Sequence, residues 1–491
     1  MAAPIRWVAD KLGLMPSALG PRAEQDFLHE AAEMGKDRIA GYDLADDYYA
    51  GEHRVKLDER ERSFLEASGL SYCENFCETI VDTMVSRLAV RGFASKSKDR
   101  REFANELWAD NRMDAGQIPI VETAVKLGDS FVIVEPGKPG QKPRIRYNDP
   151  RQVKIVYDSG EPLYASKVWA TTRRSASNPN GRAIRRMNIY WPDRVEKWMS
   201  ASSNGDWAPF RDAADDESHV VWWTMNGQEG GEPIGIPVIH FANKAGPHYG
   251  RSELTQVIPQ QDALNKELVD HFWVMDAQGW PQQWGTGVRL DDIVRHPGSI
   301  ITSEKEEAKF GQFDAADPTK TISSIESTIK RMASRSRTPL HLMLAGGNLP
   351  SGETLKTSES GFDRKGVRFQ TENGNRMEDV ETIAARVETA FGSSNPPLDE
   401  RTDCDWEPVE SRNEIDEANT AAVKKTIGVS SDTLLEEMGY DPDDERDKRA
   451  KETPVVASEL LSRARAMQAP TRSEELGGGR QPAQDPANAT V

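Results

Sequence analysis

The sequence predicts an α+β protein in which helical and β-rich regions follow one another along the chain. Residues 128–249 contain short segments rich in β-branched and aromatic residues, separated by Gly, Pro, Asn and Asp, which is the pattern of strands joined by turns. Residues 252–279 and 318–337 carry apolar residues at steps of three and four, which places them along one side of a helix. A longer helical stripe runs from Leu355 to Phe391.

The first 127 residues are predicted to be helical. The clearest pattern lies within residues 75–93, where Phe76, Ile80 and Met84 recur every four residues. Gly51 suits the end of a helix, because glycine adopts the left-handed conformation of a C-terminal cap at little cost. The other predicted helices of this region span residues 21–38, 43–51, 100–112 and 117–127.

The β-rich region begins at Gly128, where the helical period of the apolar residues ends. Residues 398–409, far along the chain, are expected to return a strand to this region. The other predicted strands span residues 131–134, 144–147, 153–157, 163–170, 184–191, 195–199, 220–223 and 237–241.

Two central helices are joined by an unusually long connection. Pro259 lies inside the first helix, which predicts either a kink or a short first turn followed by a helix that restarts with proline at its first position. The connection, residues 280–317, greatly exceeds an ordinary helix-to-helix loop. Because it holds strand-like pieces, we expect a small β module at the tip of a helix pair. These pieces are residues 282–284, 288–290 and 299–302.

Residues 345–352 predict a bent loop before the third long helix. Gly346, Gly347 and Pro350 suit such a loop, and Ser351 is a candidate cap for the helix that follows. After residue 410 the pattern changes to polar helices, expected at residues 412–426, 432–438, 443–451 and 455–467. Residues 468–491 are rich in Gly, Pro and polar residues, so we expect them to be disordered.

The composition excludes several classes of protein. No apolar run approaches the roughly 18 residues that span a bilayer. Three cysteines, an odd number, suit a reducing compartment, and they lack the partners of a zinc site. The net charge of −18 opposes non-specific adhesion to nucleic acid, since each phosphate contact needs a cation. We therefore expect no membrane, metal or cofactor, and only loose contact with any DNA.

One turn resembles a phosphate-binding loop. Gly246 and Gly250 are followed by Arg251 and Ser252, between a predicted strand and a predicted helix. A P-loop needs one more residue between its glycines and a lysine before the serine. A plain strand-to-helix turn is therefore favoured, and no catalytic residue is predicted. A nucleotide-acting enzyme that uses this turn is kept as an alternative.

The tryptophans fall into two groups. The first group lies in the β-rich region and is expected to pack within the subunit: Trp191, Trp198, Trp207, Trp222 and Trp223. The second group follows the first central helix and includes Trp280 and Trp284. A narrow helix pair has little core of its own, so burial of these two against another subunit is at least as good an explanation.

Seven segments, taken in order, resemble portal proteins of tailed double-stranded-DNA phages, particularly phages of actinobacteria. It is their order that carries the resemblance, which extends to about residue 450. The segments are YYAGEH (48–53), NFCETIVDTMVSRL (75–88), AVKLGDSFVIV (124–134), YNDPRQVKIVYD (147–158), IPVIHFANK (236–244), GRSELTQVIPQQDALNK (250–266) and LPSGETLK (349–356).

The resemblance implies a portal fold and a ring, usually dodecameric, at one vertex of the phage head. DNA would enter through this ring during packaging and leave through it during ejection. The implied parts are a helical part of the wing (1–127), a β-rich wing (128–249), two stem helices (250–279 and 318–337) with a clip between them (280–317), a tunnel loop (338–353), a long wing helix with a closing strand (354–409), a helical crown (410–467) and a tail (468–491).

The resemblance also implies partners and a virion location after synthesis in the host bacterial cytoplasm. Clip surfaces, including Trp280 and Trp284, would meet the terminase large subunit and later the head-tail adaptor proteins. Major capsid and scaffolding proteins would surround the ring at the vertex. A different head-assembly protein, such as a structural adaptor, is kept as a second alternative, because it could form rings without associating with terminase.

Site residues follow from the same resemblance. The tunnel loop would include Gly346, Gly347, Asn348, Leu349 and Pro350. The candidate contacts to double-stranded DNA in the channel are Lys330, Arg331, Arg335 and Arg337. Pairing of these four cations with acids of an adjacent subunit is an equal alternative.

Overall fold

The chain divides into two units, Met1–Glu410 and Ser411–Val491. Within them, the computed structural model describes residues 21–68, 73–172, 183–201, 205–210, 219–244, 246, 249–279, 283–286, 307–313, 317–344, 352–410, 414–438 and 445–450. The described part of the smaller unit contains the helices α11 (Glu414–Thr426) and α12 (Ser431–Glu437), and residues 445–450 are also helical.

The helices of the larger unit lie at both ends of its β-rich middle. They are α1 (Pro21–Ala32), α2 (Lys36–Ala50), α3 (Glu59–Ser68), α4 (Phe76–Val85), α5 (Lys98–Asp110), α6 (Met113–Leu127), α7 (Ile258–Gly279), α8 (Pro318–Ser336), α9 (Leu340–Met343) and α10 (Gly352–Phe391). A 3₁₀ turn at Glu253–Gln256 precedes α7.

The strands form antiparallel sheets. They are β1 (Val90–Ala94), β2 (Asp129–Glu135), β3 (Arg144–Asn148), β4 (Val153–Asp158), β5 (Glu161–Thr171), β6 (Ile184–Tyr190), β7 (Arg194–Ser200), β8 (Ala208–Pro209), β9 (Val220–Trp222), β10 (Val238–Ala242), β11 (Gln283–Thr286), β12 (Lys309–Gln312) and β13 (Asp403–Trp406). One sheet has the order β10-β2-β3, and a larger one runs β4-β5-β6-β7-β8 with β9 also paired to β7. The pairs β1-β13 and β11-β12 stand separately.

The main core lies between the small sheet and the helices on either side of it. In β2, Phe131 and Val132 are fully buried, so both faces of this strand are covered. Val125 of α6 and Ala384 of α10 are also fully buried in the same cluster. Burial of these apolar side chains stabilises the fold by roughly 25 cal/mol for each Å² removed from water.

A second core lies under α1. Phe27 and Leu28 pack on the large sheet, where Tyr164 and Trp191 meet them. Trp198, Trp207 and Trp223 are likewise buried. The expectation that the tryptophans of the β-rich region pack within the subunit is therefore confirmed for these side chains.

Three sequence predictions need correction. The helix predicted across residues 75–93 ends at Val85, because the chain beyond it pairs with a strand distant in sequence: Phe93 lies opposite Cys404 in the β1-β13 pair. For the same reason residues 398–409 do return a strand, but it joins β1 and not the β-rich region. The helix predicted at residues 21–38 is two helices, with Gly35 between them at a φ of 77°.

Candidate functional site

The two central helices form an antiparallel hairpin. The Oγ1 of Thr328 on α8 donates to Glu267 Oε2 on α7 at 2.9 Å. Nearer the connection between the two helices, His271 Nδ1 and Thr321 Oγ1 lie 2.7 Å apart. Pro259 occupies the second position of α7, after the separate 3₁₀ turn. The structure thus shows the restart that the proline predicted, since a helix's first turn needs no backbone donor there.

The base of this hairpin is buried and its far end is exposed. At the base, Leu264 and Met332 are fully buried and Ile329 is 6% exposed. At the far end, apolar side chains on both helices, on the β11-β12 pair and directly after β12 reach solvent. We call this set the hairpin tip: Trp273 (40% exposed), Met275 (48%), Trp284 (40%), Phe310 (40%), Phe313 (57%) and Ile322 (45%).

The β module predicted between the helices is described in part. Strand β11 overlaps the predicted piece at residues 282–284, and it pairs with β12 so that Trp284 lies opposite Gly311. The pieces predicted at residues 288–290 and 299–302 lie outside the described residues. Trp280 lies outside them as well, and so do Gly346, Gly347, Asn348, Leu349 and Pro350.

The four cations predicted from α8 have different surroundings. Lys330 is exposed and forms an ion pair with Glu326 one turn earlier, at 3.3 Å. Arg331 donates through Nη2 to Thr328 Oγ1 at 2.6 Å, which links it to the Glu267 contact. Arg335 and Arg337 lie apart from Lys330 and Arg331, and both line a cleft at the base of the hairpin.

This cleft has a volume of about 360 Å³ and lies between the end of α8, the middle of α10 and the chain on either side of residue 250. We call it the basic cleft. Its charged lining contains one carboxylate, that of Glu372. The cationic residues that line it are Lys244, Arg251, Arg335, Arg337, Arg364, Lys365 and Arg368.

A buried ion pair fixes the floor of the basic cleft. Lys365 Nζ donates to Glu253 Oε2 at 3.2 Å and to the carbonyl oxygen of Ser336 at 2.9 Å. Lys244 Nζ lies 2.8 Å from the other carboxylate oxygen of Glu253. Burial alone would raise the pKa of Glu253, but Lys365 and Lys244 hold it below its usual range. The floor thus ties α8, α10 and the 3₁₀ turn together.

In the turn that resembles a phosphate-binding loop, the backbone amides of Gly250 and Arg251 already donate hydrogen bonds to other parts of the protein. The amide of Gly250 donates to Asp129 Oδ1 at 2.7 Å, and the amide of Arg251 donates to the Asn243 carbonyl at 2.8 Å. Tyr42 and His240 also hydrogen-bond the Asp129 carboxylate, at 2.6 and 2.7 Å. The Asp129 carboxylate therefore engages the amide of Gly250, and the described residues of this turn offer no set of free backbone donors for a phosphate.

Most of the basic cleft could not be found from local sequence patterns. Its residues come from four separate stretches of chain, and only the fold brings these stretches together. Arg364 and Arg368 are spaced four residues apart on α10, which places them on one side of the helix. That spacing is a local sequence pattern that groups these two arginines, but it does not predict that Lys244 and Arg251 lie in the same cleft.

Comparison with known proteins identifies the family. The family model for "Phage portal protein, SPP1 Gp6-like" matches residues 28–454, which is most of the chain. The chain belongs to this family. It is therefore a phage portal protein, a structural component of the virion and not an enzyme. The nucleotide-acting alternative is set aside on this ground as well as on the geometry of the turn.

Solved structures similar to this portal protein come from gene transfer agent (GTA) particles. The neck of an empty GTA particle computed with C6 symmetry has 11% sequence identity and a TM-score of 0.44, with 79% of this chain and 95% of that chain covered. The neck of a native particle computed with C12 symmetry has 12% identity and a TM-score of 0.41, with 82% and 99% covered. No curated protein matches the chain. Among the described helices of this portal protein, none has the length and apolarity to span a membrane.

Proposed function

We propose that this portal protein assembles as a ring, expected to be a dodecamer, at one capsid vertex and that double-stranded DNA passes through its central channel during packaging and ejection. The observation that carries the proposal is the hairpin tip. A narrow helix pair that exposes Trp273, Ile322 and Phe313 has apolar surface that needs a cover. Further copies of the same hairpin, arranged around a closed ring, would supply that cover.

The parts of the ring are assigned to the chain as follows. Helices α7 and α8 form the stem, and the β11-β12 pair belongs to the clip, where Trp280 and Trp284 contribute to the interface. Residues 346–350 belong to the tunnel loop. The clip receives the terminase large subunit and then the head-tail adaptor proteins, and major capsid and scaffolding proteins surround the ring. We also propose that the protein originates from a phage of actinobacteria. A survey of related sequences that finds its nearest relatives in phages of other hosts would contradict this origin.

The charge of the chain fits a channel that lets DNA slide. A net charge of −18 repels the phosphate backbone, so strong adhesion would not stall the moving duplex. Lys330 and Arg331 on α8 are the proposed points of contact with DNA. Arg335 and Arg337 line the basic cleft, and for these two we propose the alternative role, pairing with acids of an adjacent subunit. We expect weak DNA affinity that falls steeply with salt. Tight binding by the free protein that persists at high salt would contradict a sliding channel.

Removing apolar surface from the hairpin tip tests the proposed assembly. The variant Phe313→Ser/Ile322→Ser should populate far less ring than the wild type, while its melting temperature as a monomer stays unchanged. Ile118→Ser is the matched control, because Ile118 is 51% exposed on α6, outside the hairpin. Mass photometry across protein concentrations measures the ring fraction. Equal assembly of the tip variant and the wild type would refute the role given to the tip.

A further inference from the structure

We infer that the basic cleft is a docking site for a carboxylate-bearing segment of a second copy of the chain. The inference rests on the proposed ring and goes beyond it, because it assigns one contact between neighbouring copies. It starts from the charges in the cleft. Lys244 and Lys365 share Glu253, and Arg368 lies 2.7 Å from Glu372.

Four cations of the cleft are left over after this pairing. Arg251, Arg335, Arg337 and Arg364 are all exposed at its rim. Among the described residues, none of these four has a carboxylate within ion-pair distance. Four guanidinium groups that share one cleft repel one another. The chain as a whole has more acidic than basic residues, 80 against 62, so a local cluster of cations contrasts with its overall negative charge. An anion from outside the subunit would offset this repulsion.

The cleft is rigid enough to act as a binding site. Ser336 and Lys365 are both buried, and the hydrogen bond between them joins the end of α8 to α10. Arg337 follows in the left-handed conformation, with a φ of 56°, and the amide of Thr338 bonds back to Ala333 at 3.0 Å. The rim arginines on α8 and α10 therefore extend from backbone that is already fixed, which lowers the entropy lost on binding.

Size and chemistry select the occupant. A volume of about 360 Å³ is near the lower end for ligand pockets, so the cleft admits a few side chains but not the body of a duplex. Guanidinium groups bind planar carboxylates through paired hydrogen bonds. A second copy of a chain with a net charge of −18 brings carboxylates in excess. In a ring, each copy would insert an acidic segment into the next, which is a head-to-tail contact.

Charge reversal tests the inference. In Arg335→Glu/Arg364→Glu we expect the association constant between copies to fall by about tenfold or more, since close interfacial charge pairs are coupled at that level. Arg376→Glu is the matched control, because Arg376 lies on the same helix α10, outside the lining of the basic cleft, and forms an ion pair with nearby Asp379 at 3.0 Å. It should assemble like the wild type. Sedimentation velocity at about 0.15 M salt measures assembly, and circular dichroism checks that each variant is folded.

A second variant keeps the test decisive if charge reversal disturbs folding. Arg335→Lys retains the positive charge and introduces an amine that carbodiimide can link directly to a carboxylate. Rings assembled from mixed ¹⁴N- and ¹⁵N-labelled copies should then yield a cross-link between a light and a heavy peptide at position 335. Rings that yield no such link between copies would overturn the inference.

The remaining outcomes separate the inference from the proposed ring. If wild-type protein assembles and the charge-reversed protein assembles equally well, the ring stands and the docking site is refuted. If the charge-reversed protein assembles normally but loses retention of duplex DNA in a gel-shift assay, the cleft serves DNA and the inference is wrong. If wild-type protein never assembles, the ring proposal itself fails.

Discussion

Replacing Arg100 by Met would remove the cation from a buried ion pair that joins α5 to α10. Arg100 Nη2 lies 2.7 Å from Glu381 Oε2, and both side chains are 1% exposed. Arg100 also donates to the Pro397 carbonyl at 3.1 Å, and Thr402 donates to Glu381 at 2.7 Å. Removing one partner of such a pair leaves a buried charge without compensation, so we expect Arg100→Met to lower the free energy of unfolding by about 3–5 kcal/mol.

The pH dependence of this loss follows from Glu381. Burial raises the pKa of Glu381, although Arg100 and Thr402 oppose the rise. A carboxyl group whose pKa is raised on folding stabilises the native state below its unfolded pKa, and this contribution disappears as the pH rises through the folded value. Without Arg100 the pKa of Glu381 rises further. The difference between variant and wild type should therefore be largest near pH 8 and smaller near pH 5.

Urea denaturation at one fixed protein concentration measures both effects, since assembly makes stability depend on concentration. Arg100→Met/Glu381→Met is the control, because it removes both charges. It should recover most of the loss, apart from about 1 kcal/mol for the unpartnered Thr402 hydroxyl. A loss below about 1 kcal/mol in Arg100→Met, or a loss that does not shrink at acid pH, would refute this reasoning.

Three further changes have defined outcomes. Gly250→Ala should lower the free energy of unfolding in urea by roughly 2–3 kcal/mol, because an added Cβ would lie 2.0 Å from the Gly128 carbonyl oxygen. Gly361→Ala is the comparison: its added Cβ meets nothing within 4 Å, so it should instead stabilise α10 by about 1 kcal/mol. Equal effects of the two substitutions would contradict the packing argument. Burial alone would raise the pKa of Asp129, but hydrogen bonds to its carboxylate hold that pKa below its usual range, so wild-type stability should fall as the pH drops through the folded value. Asp129→Asn should show a flatter acid limb in thermal melts, and an unchanged limb would argue against this role. Deleting residues 346–350 should leave the ring mass unchanged and reduce the DNA packaged in a reconstituted reaction, whereas loss of rings would place this loop in assembly.

Regular periodicity allowed most elements of the larger unit to be predicted. The strands between Asp129 and Ala242 alternate β-branched and aromatic residues with turn residues, so local pattern and final structure agree. Helix α10 was predicted across its glycines because its apolar stripe is long enough to be held by packing. The error at β1 came from strand pairing between segments distant in sequence. The apolar residues leading into β1 have a helical period, but Phe93 pairs with Cys404 of β13.

The candidate site was less accessible to sequence reasoning. The hairpin and the exposed aromatic ring of Trp284 follow from local pattern and from the length of the connection between the helices. The basic cleft does not, because Lys244 and Lys365 meet at Glu253 only through the fold. Buried ion pairs such as that of Arg100 leave no periodic signal either. Charged residues are expected at the surface, so the sequence alone assigns them there.

The mass of the purified full-length protein in solution tests the central claim most directly. Each chain has a mass of 54.7 kDa, and the account predicts a single closed particle many times heavier, whose hairpin tips are covered by neighbouring copies. Native mass spectrometry, together with sedimentation over a wide range of concentrations, gives both the mass and its concentration dependence. A well-folded species of 54.7 kDa at every concentration would contradict the claim.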